Sequence, residues 1–208
     1  MVYRQTENAS RRLADKRARI LKAARDLVAD GGWAAAQVDH VAARAGVATG
    51  TVYRHWSSKA ELCAEIVATV SAREVGIVRA VVEADGTPAD KLDSAVRAFA
   101  GRALRGRRLA YALIAEPVDP EVETVRLDYR AQLARCFERI LREGIMRGAF
   151  PRLDPAVAAA CIVGAFMEAL VGPLAPTKGT GPRADRHLVD QITRFCLRAS
   201  VGAAEDHS

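Results

Sequence analysis

Aromatic residues are scarce, at 5% of the 208 residues. The four cysteines, Cys63, Cys136, Cys161 and Cys196, lie far apart, and no pair has the spacing of a metal site. They read as reduced, mostly buried thiols, with no metal or cofactor expected. The four histidines, His40, His55, His187 and His207, show neither ligand spacing nor a catalytic arrangement. No G-x-S-x-G, phosphate loop or dinucleotide fingerprint occurs, which argues against an enzyme. No apolar run reaches 18 residues, and residues 1–30 are polar and basic without the hydrophobic centre of a secretory signal. Neither a membrane span nor export is expected, so the expected location is cytoplasmic. Internal repeats, low-complexity tracts and alternating strand-like runs are also missing.

What remains is rich in Ala, Arg, Leu and Val, a composition that suits helices. The charge is uneven. Residues 1–60 hold 11 of the 31 Lys and Arg but only 5 of the 25 Asp and Glu, whereas residues 61–208 hold 20 of each. The whole net charge of +6 therefore lies in the first 60 residues. Confined in this way, it suits a surface that meets a polyanion.

Residues 1–14 form a polar, basic lead-in that reads either as a frayed terminus or as an arm adding phosphate or minor-groove contacts. A first helix follows over 15–30, with Ile20, Ala24, Leu27 and Val28 inward, and Gly31-Gly32 ends it. Trp33 reads as a core plug. Val38, Val41, Ala42 and Ala45 then recur at helical spacing, Gly46 breaks the pattern, and a short helix covers about 48–55. Two helices about a tight glycine turn make a helix-turn-helix. Ser58 and Glu61 have the spacing of a capping box for a long helix over 61–82, with a kink near Gly76. Further helices are expected over 87–104, 109–115, 121–147, from 155 to a loop at Pro173, and over 183–201. Residues 202–208 read as a disordered tail.

From about Ile20 to Leu62 the sequence resembles the DNA-binding domain of TetR-family regulators. The resemblance is carried by Ala23-Ala24, Leu27, Gly32-Trp33, Val41-Ala42, Ala45-Gly46-Val47, Gly50-Thr51-Val52-Tyr53, Trp56, Lys59 and Leu62. It is specific there and only general beyond. The family usually has hydroxyl residues where Ala36 and Gln37 stand, Ser or Thr at Ala48, and Phe at Trp56. Ala48 has no side chain to cap a helix, a local cost of about 1 kcal/mol. The implied fold is all-α: an N-terminal three-helix helix-turn-helix DNA-binding domain over 1–60, and a C-terminal helical ligand-binding and dimerisation domain over 61–201.

Candidate DNA contacts follow from residue chemistry and from the resemblance. Thr49 and Thr51 can meet base edges, and Gly50 leaves room for the duplex backbone. Gln37, Arg44, Ala48 and Arg54 lie on the same unit, and Tyr53 with His55 resembles the family's phosphate-contacting pair. Lys59 sits in the first turn of its helix, where the macrodipole disfavours a cation by roughly 0.3–1 kcal/mol. A phosphate held by Lys59 and the free N–H groups would relieve that misfit.

In the second domain, Phe99, Tyr111, Ile114 and Tyr129 are candidate walls of a ligand pocket, as are Leu133, Phe137, Phe166 and Met167. Glu116 and Glu168 are carboxylates among apolar neighbours, either paired structurally or aimed into a cavity. The helix from 155 is apolar almost all round and must be buried on most sides. With the last helix it forms a candidate dimer surface: Cys161, Ala165, Leu188, Ile192, Phe195 and Ala199.

The expected function is a sequence-specific, DNA-binding transcriptional regulator, a homodimer on a pseudo-palindromic operator. The resemblance implies a repressor, expected to be released by a small-molecule effector, and the candidate pocket walls suit an effector of largely apolar character. A helical interaction module with a vestigial helix-turn-helix is the competing class. It would lack salt-dependent affinity for DNA.

Overall fold

The computed structural model describes residues 2–176 and 181–201, and the tail expected at 202–208 lies outside them. Among the described residues there are nine helices and no strand. They are α1 (Val2–Gly31), α2 (Val38–Ala45), α3 (Thr49–Tyr53), α4 (Lys59–Glu83), α5 (Pro88–Arg105), α6 (Arg107–Ile114), α7 (Pro120–Met146), α8 (Pro155–Leu174) and α9 (Pro182–Val201).

The lead-in is helical: α1 begins at Val2 and runs unbroken to Gly31. Residues 10–19 are exposed, and burial starts at Ile20. Good helix formers continue the hydrogen-bonded ladder past the point where apolar spacing gives out.

α2 ends at Gly46, which lies in the left-handed region with φ 63°. Gly46 N donates to Ala43 O and Val47 N to Ala42 O, the paired bonds of a Schellman cap. This closes the turn of the helix-turn-helix. The cap of α4 differs from the expected box. Ser58 Oγ accepts from Glu61 N at 3.0 Å, but the Glu61 carboxylate reaches back to Ser57, whose N–H and hydroxyl donate to it at 2.6 and 2.8 Å. Those donors hold the Glu61 carboxyl below its usual pKa.

α4 passes Gly76 without interruption and is shared by two cores. Leu62, Cys63, Ile66 and Val67 pack with Ile20, Val28, Val41, Val52 and Trp56 in the N-terminal cluster. Val75, Val78 and Val82 pack with Leu92, Phe99, Leu133 and Phe137 in the C-terminal one. The N-terminal packing thus runs past residue 60, and it also takes in Ala112 and Val122 from α6 and α7. In the second cluster α4 lies along α7, α7 along α8, and α5 along α9.

Two further boundaries differ from the sequence pattern. α8 includes Pro173 in its last turn, where only an early carbonyl would be left without its donor. α7 closes at Gly148, φ 69°, and Phe150 folds back over Gly144, where any side chain would collide with its ring.

Candidate nucleic-acid interface and effector cavity

The reading unit is sorted by burial. Val52 and Trp56 are buried, while Ala48, Thr49, Gly50, Tyr53 and Arg54 are exposed. Thr51 and His55 are half-buried. A side chain built at Gly50 would meet nothing within 4 Å, so the fold itself does not require a glycine there. Ala48 occupies the N-cap position without a side-chain hydrogen bond. The free N–H groups, hydroxyls and a guanidinium on one open face are the groups that bind phosphate oxygens and base edges.

Trp56 is held from both neighbouring helices. Its Nε1–H donates to Glu65 Oε2 at 2.6 Å, and the Arg17 guanidinium lies 5.0 Å over the ring while also pairing with Glu65. An indole at this position therefore finds the polar partner that its N–H needs. Phenylalanine could not make that bond to α4.

Two candidate contacts, Gln37 and Arg44, are engaged within the chain. Gln37 Nε2 donates to Ala34 O at 3.1 Å, and Arg44 pairs with Asp30 at 2.6 Å across the α1–α2 corner. Lys59 is half-buried and lines a cleft with Cys63, Glu116 and Asp119.

Below the reading unit, the turn after α1 is fastened to the C-terminal end of α6. Gly32 has φ 73°, and a Cβ there would strike the Arg108 guanidinium and the Glu116 carboxylate. Arg108 bonds Gly31 O at 2.8 Å and Glu116 at 3.0 Å. Trp33 Nε1–H donates to Ala112 O, and Trp33 N to Glu116. Arg126, buried on α7, donates to Ala112 O at 2.6 Å and to Glu116 O at 2.5 Å. Burial lowers the pKa of its guanidinium, against the pull of Glu123. α6 ends with Ala115 and Glu116 both donating to Tyr111 O. The Ala112 carbonyl is left for partners outside the helix.

Beside this junction lies a cavity of about 500 Å³. α1 contributes Arg25; α4 Thr69, Val70, Ser71, Arg73 and Glu74; α5 Phe99, Arg102, Ala103 and Arg105; α6 Leu109, Ala110, Leu113 and Ile114; and α7 Tyr129. It therefore touches both the helix that carries the reading unit and the body beneath. Glu74 and Arg102 close across it through two bonds of 2.7 Å. Hydrogen bonding to Glu74 raises the Arg102 pKa, and burial pushes the Tyr129 phenol up.

Residues 20–66 match the model of bacterial regulatory proteins of the tetR family, and residues 85–171 match a Tetracyclin repressor-like C-terminal domain. The chain belongs to the TetR family. It is a DNA-binding helix-turn-helix regulator by fold, with the family's two domains in order. Among solved structures, a TetR/AcrR regulator of Thermobifida fusca YX-ER1 is 24% identical with TM-score 0.69, over 88% of this chain and 97% of that one. The fatty acid degradation regulator FadR of Bacillus halodurans is 22% identical with TM-score 0.77, over 88% and 95%. FadR of Bacillus subtilis, solved with stearoyl-CoA, is 19% identical with TM-score 0.76, over 88% and 98%. No curated protein matches the chain at a significant level.

In this TetR-family chain the pocket candidates separate into four groups. Phe99, Ile114 and Tyr129 line the cavity. Leu133, Phe137, Phe166 and Met167 do not: they are core, with Phe166 packed between Phe99 and Phe137 at ring distances of 4.8 and 5.5 Å. Tyr111 lies under Arg108, and Glu116 serves the junction. Glu168 is exposed on α8 and reaches no cavity, because it falls on the face of that helix turned away from the core. Arg25, Ser71, Arg73, Glu74, Arg102 and Arg105 were missed, since apolar spacing selects walls and passes over charged linings. A signal did exist: Arg102 and Arg105 follow the apolar Phe99-Ala100 at the end of one helix.

α8 is not buried on most sides within one chain. By composition alone this 20-residue helix is long and apolar enough to cross a membrane. Its Ile162, Phe166 and Leu170 face the core, while Val157, Cys161 and Gly164 are exposed. On α9, Phe195 and Ala199 are exposed, but Ile192 is buried in its own chain and Leu188 is half-buried against the same core. Ala165 is half-buried. All four cysteines are free, and Cys161 is the exposed one.

Proposed function

We propose that the protein is a ligand-responsive transcriptional repressor, acting as a homodimer on a pseudo-palindromic operator. The observation that carries this reading is the division of the helix-turn-helix, with Val52 and Trp56 anchored below an open face of Thr49, Gly50, Thr51, Tyr53 and Arg54. The basic charge of residues 1–60 supplies the non-specific attraction for a duplex.

Dimerisation is supported by the exposed apolar face of α8 and α9, where Val157 and Phe195 are each 61% exposed. Two copies joined there would bury it and present two reading units to successive major grooves. The effector would occupy the cavity between α1 and α4–α7. Its walls belong to both sides of the junction, so a ligand that favours one spacing of those walls shifts the reading units by differential affinity.

The test is selection from a random duplex library. Enrichment of an inverted repeat, released by a ligand of the cavity, is the expected result. Retention without a shared site, lost on adding salt, would reduce the protein to a basic surface and favour an interaction module.

A further inference from the structure

The cavity has more positive charge than its own acids answer. Arg25, Arg73, Arg102 and Arg105 line it, and Glu74 is the only carboxylate among the lining residues. That carboxylate is already held by Arg102 through both oxygens. Arg25 is bound to Asp26, which Lys22 shares at 2.6 Å. Arg73 and Arg105 are exposed to solvent where they line it, and they have no acidic partner among the described residues.

The inner wall adds a second observation. Ser71 is 5% exposed and Tyr129 9%, and both line the cavity. Neither hydroxyl has a hydrogen-bond partner among the described residues. Both hydroxyls open onto the cavity, since the sealed polar atoms without a partner among the described residues are Arg126 Nε and Thr193 Oγ1. Here the partner is left to whatever fills the cavity. The remaining wall, with Val70, Leu109, Leu113 and Ile114, is apolar.

We infer that the effector is an amphipathic anion: an apolar body against α6, oxygen atoms that accept from Ser71 and Tyr129, and a carboxylate or phosphate balanced by Arg73 and Arg105. A neutral apolar molecule would gain nothing from the two guanidiniums at the cavity and would give the two hydroxyls no acceptor. This rests on reading the cavity as the effector site.

The probes are octanoate, dodecanoate and hexadecanoate, each beside the alcohol of equal length, and dodecyl phosphate, titrated below their micelle concentrations into the full chain. Binding is read from tryptophan fluorescence and from the melting temperature. At the best-bound length the anion is expected to bind roughly tenfold or more tighter than its alcohol, as a charge-assisted contact gives. The order of dodecanoate and dodecyl phosphate distinguishes carboxylate from phosphate. The double substitution Arg73→Gln, Arg105→Gln should remove the anion's advantage, Arg73→Lys with Arg105→Lys should keep part of it, and Tyr129→Phe should weaken the anion several-fold. Alcohols that equal the anions in the wild type, or anions that bind the glutamine variant undiminished, overturn the inference. So does a protein that selects an inverted repeat from duplex DNA yet binds no anion, and that outcome leaves the regulator reading standing. Anions that bind without releasing the DNA keep the inference and remove the ligand-released part of that reading.

Discussion

The indole N–H of Trp33 donates to the carbonyl oxygen of Ala112 over 2.9 Å, joining the turn after α1 to the end of α6. Ala112 O also accepts from Arg126, so one carbonyl ties three segments together. Trp33→Phe keeps an aromatic ring in the core and removes that donor along with part of the indole's packing. It should cost about 1 kcal/mol in denaturant unfolding, while Arg126→Ala, which also deprives Glu116 O, should cost about 2 kcal/mol or more. Equal midpoints for Trp33→Phe and wild type would show that the bond contributes nothing.

Gly50 separates stability from function. The position is open within the chain, and alanine is the better helix former by about 0.5–1 kcal/mol. Gly50→Ala should therefore melt at or above the wild-type temperature. Its affinity for the selected operator should fall, because the added methyl occupies the space that the duplex needs. A variant that is both more stable and undiminished in binding would remove close approach at this residue.

Lys59→Ala and Thr49→Ala should fail in different ways. If Lys59 holds a phosphate, its loss weakens binding to every sequence and lowers the slope of log affinity against log salt by about 1. Thr49→Ala should leave that slope and change which base is preferred at one position. Matching slopes for wild type and Lys59→Ala would limit the lysine to the cleft that it shares with Glu116 and Asp119.

The exposed α8–α9 face gives a chemical readout of pairing. Burial pushes the Cys63 and Cys196 thiols up to about 11 and raises Cys136 as well, so these three should alkylate slowly at pH 8. Cys161 is exposed in a single chain and should react only when α8 is uncovered. Phe195→Glu should convert the protein to monomers in sedimentation and speed Cys161 labelling. Rapid labelling of Cys161 in an undisturbed dimer would place the interface elsewhere.

The reading unit was legible in the sequence because local rules govern it. Gly46 takes the left-handed turn, Val41, Ala42 and Ala45 mark one face, and Ser58 starts α4. The start of α1 was not legible, since a helix exposed on every side over 10–19 carries no apolar spacing. Periodicity also could not separate the core role of Phe137 and Phe166 from the cavity role of Phe99 and Tyr129. All four are aromatic residues at inward positions, and only the assembled packing of the helices decides which of them meet space. Glu116 shows the same limit: its partners Arg108 and Trp33 come from different elements, the latter 83 residues away.

The sharing of α4 between two cores sets where this molecule can be cut and rejoined. Leu62, Cys63, Ile66 and Val67 are buried with Trp56 and Val28, whereas Val75 and the residues after it belong to the other body. A graft that gives this regulator a different operator preference should exchange everything through about residue 70, and carry Arg108, Ala112, Glu116 and Arg126 as the fixed seat on which the new head rests. A splice at residue 60 would split a hydrophobic core between two parents, and the hybrid would inherit a mismatched interior rather than a new specificity.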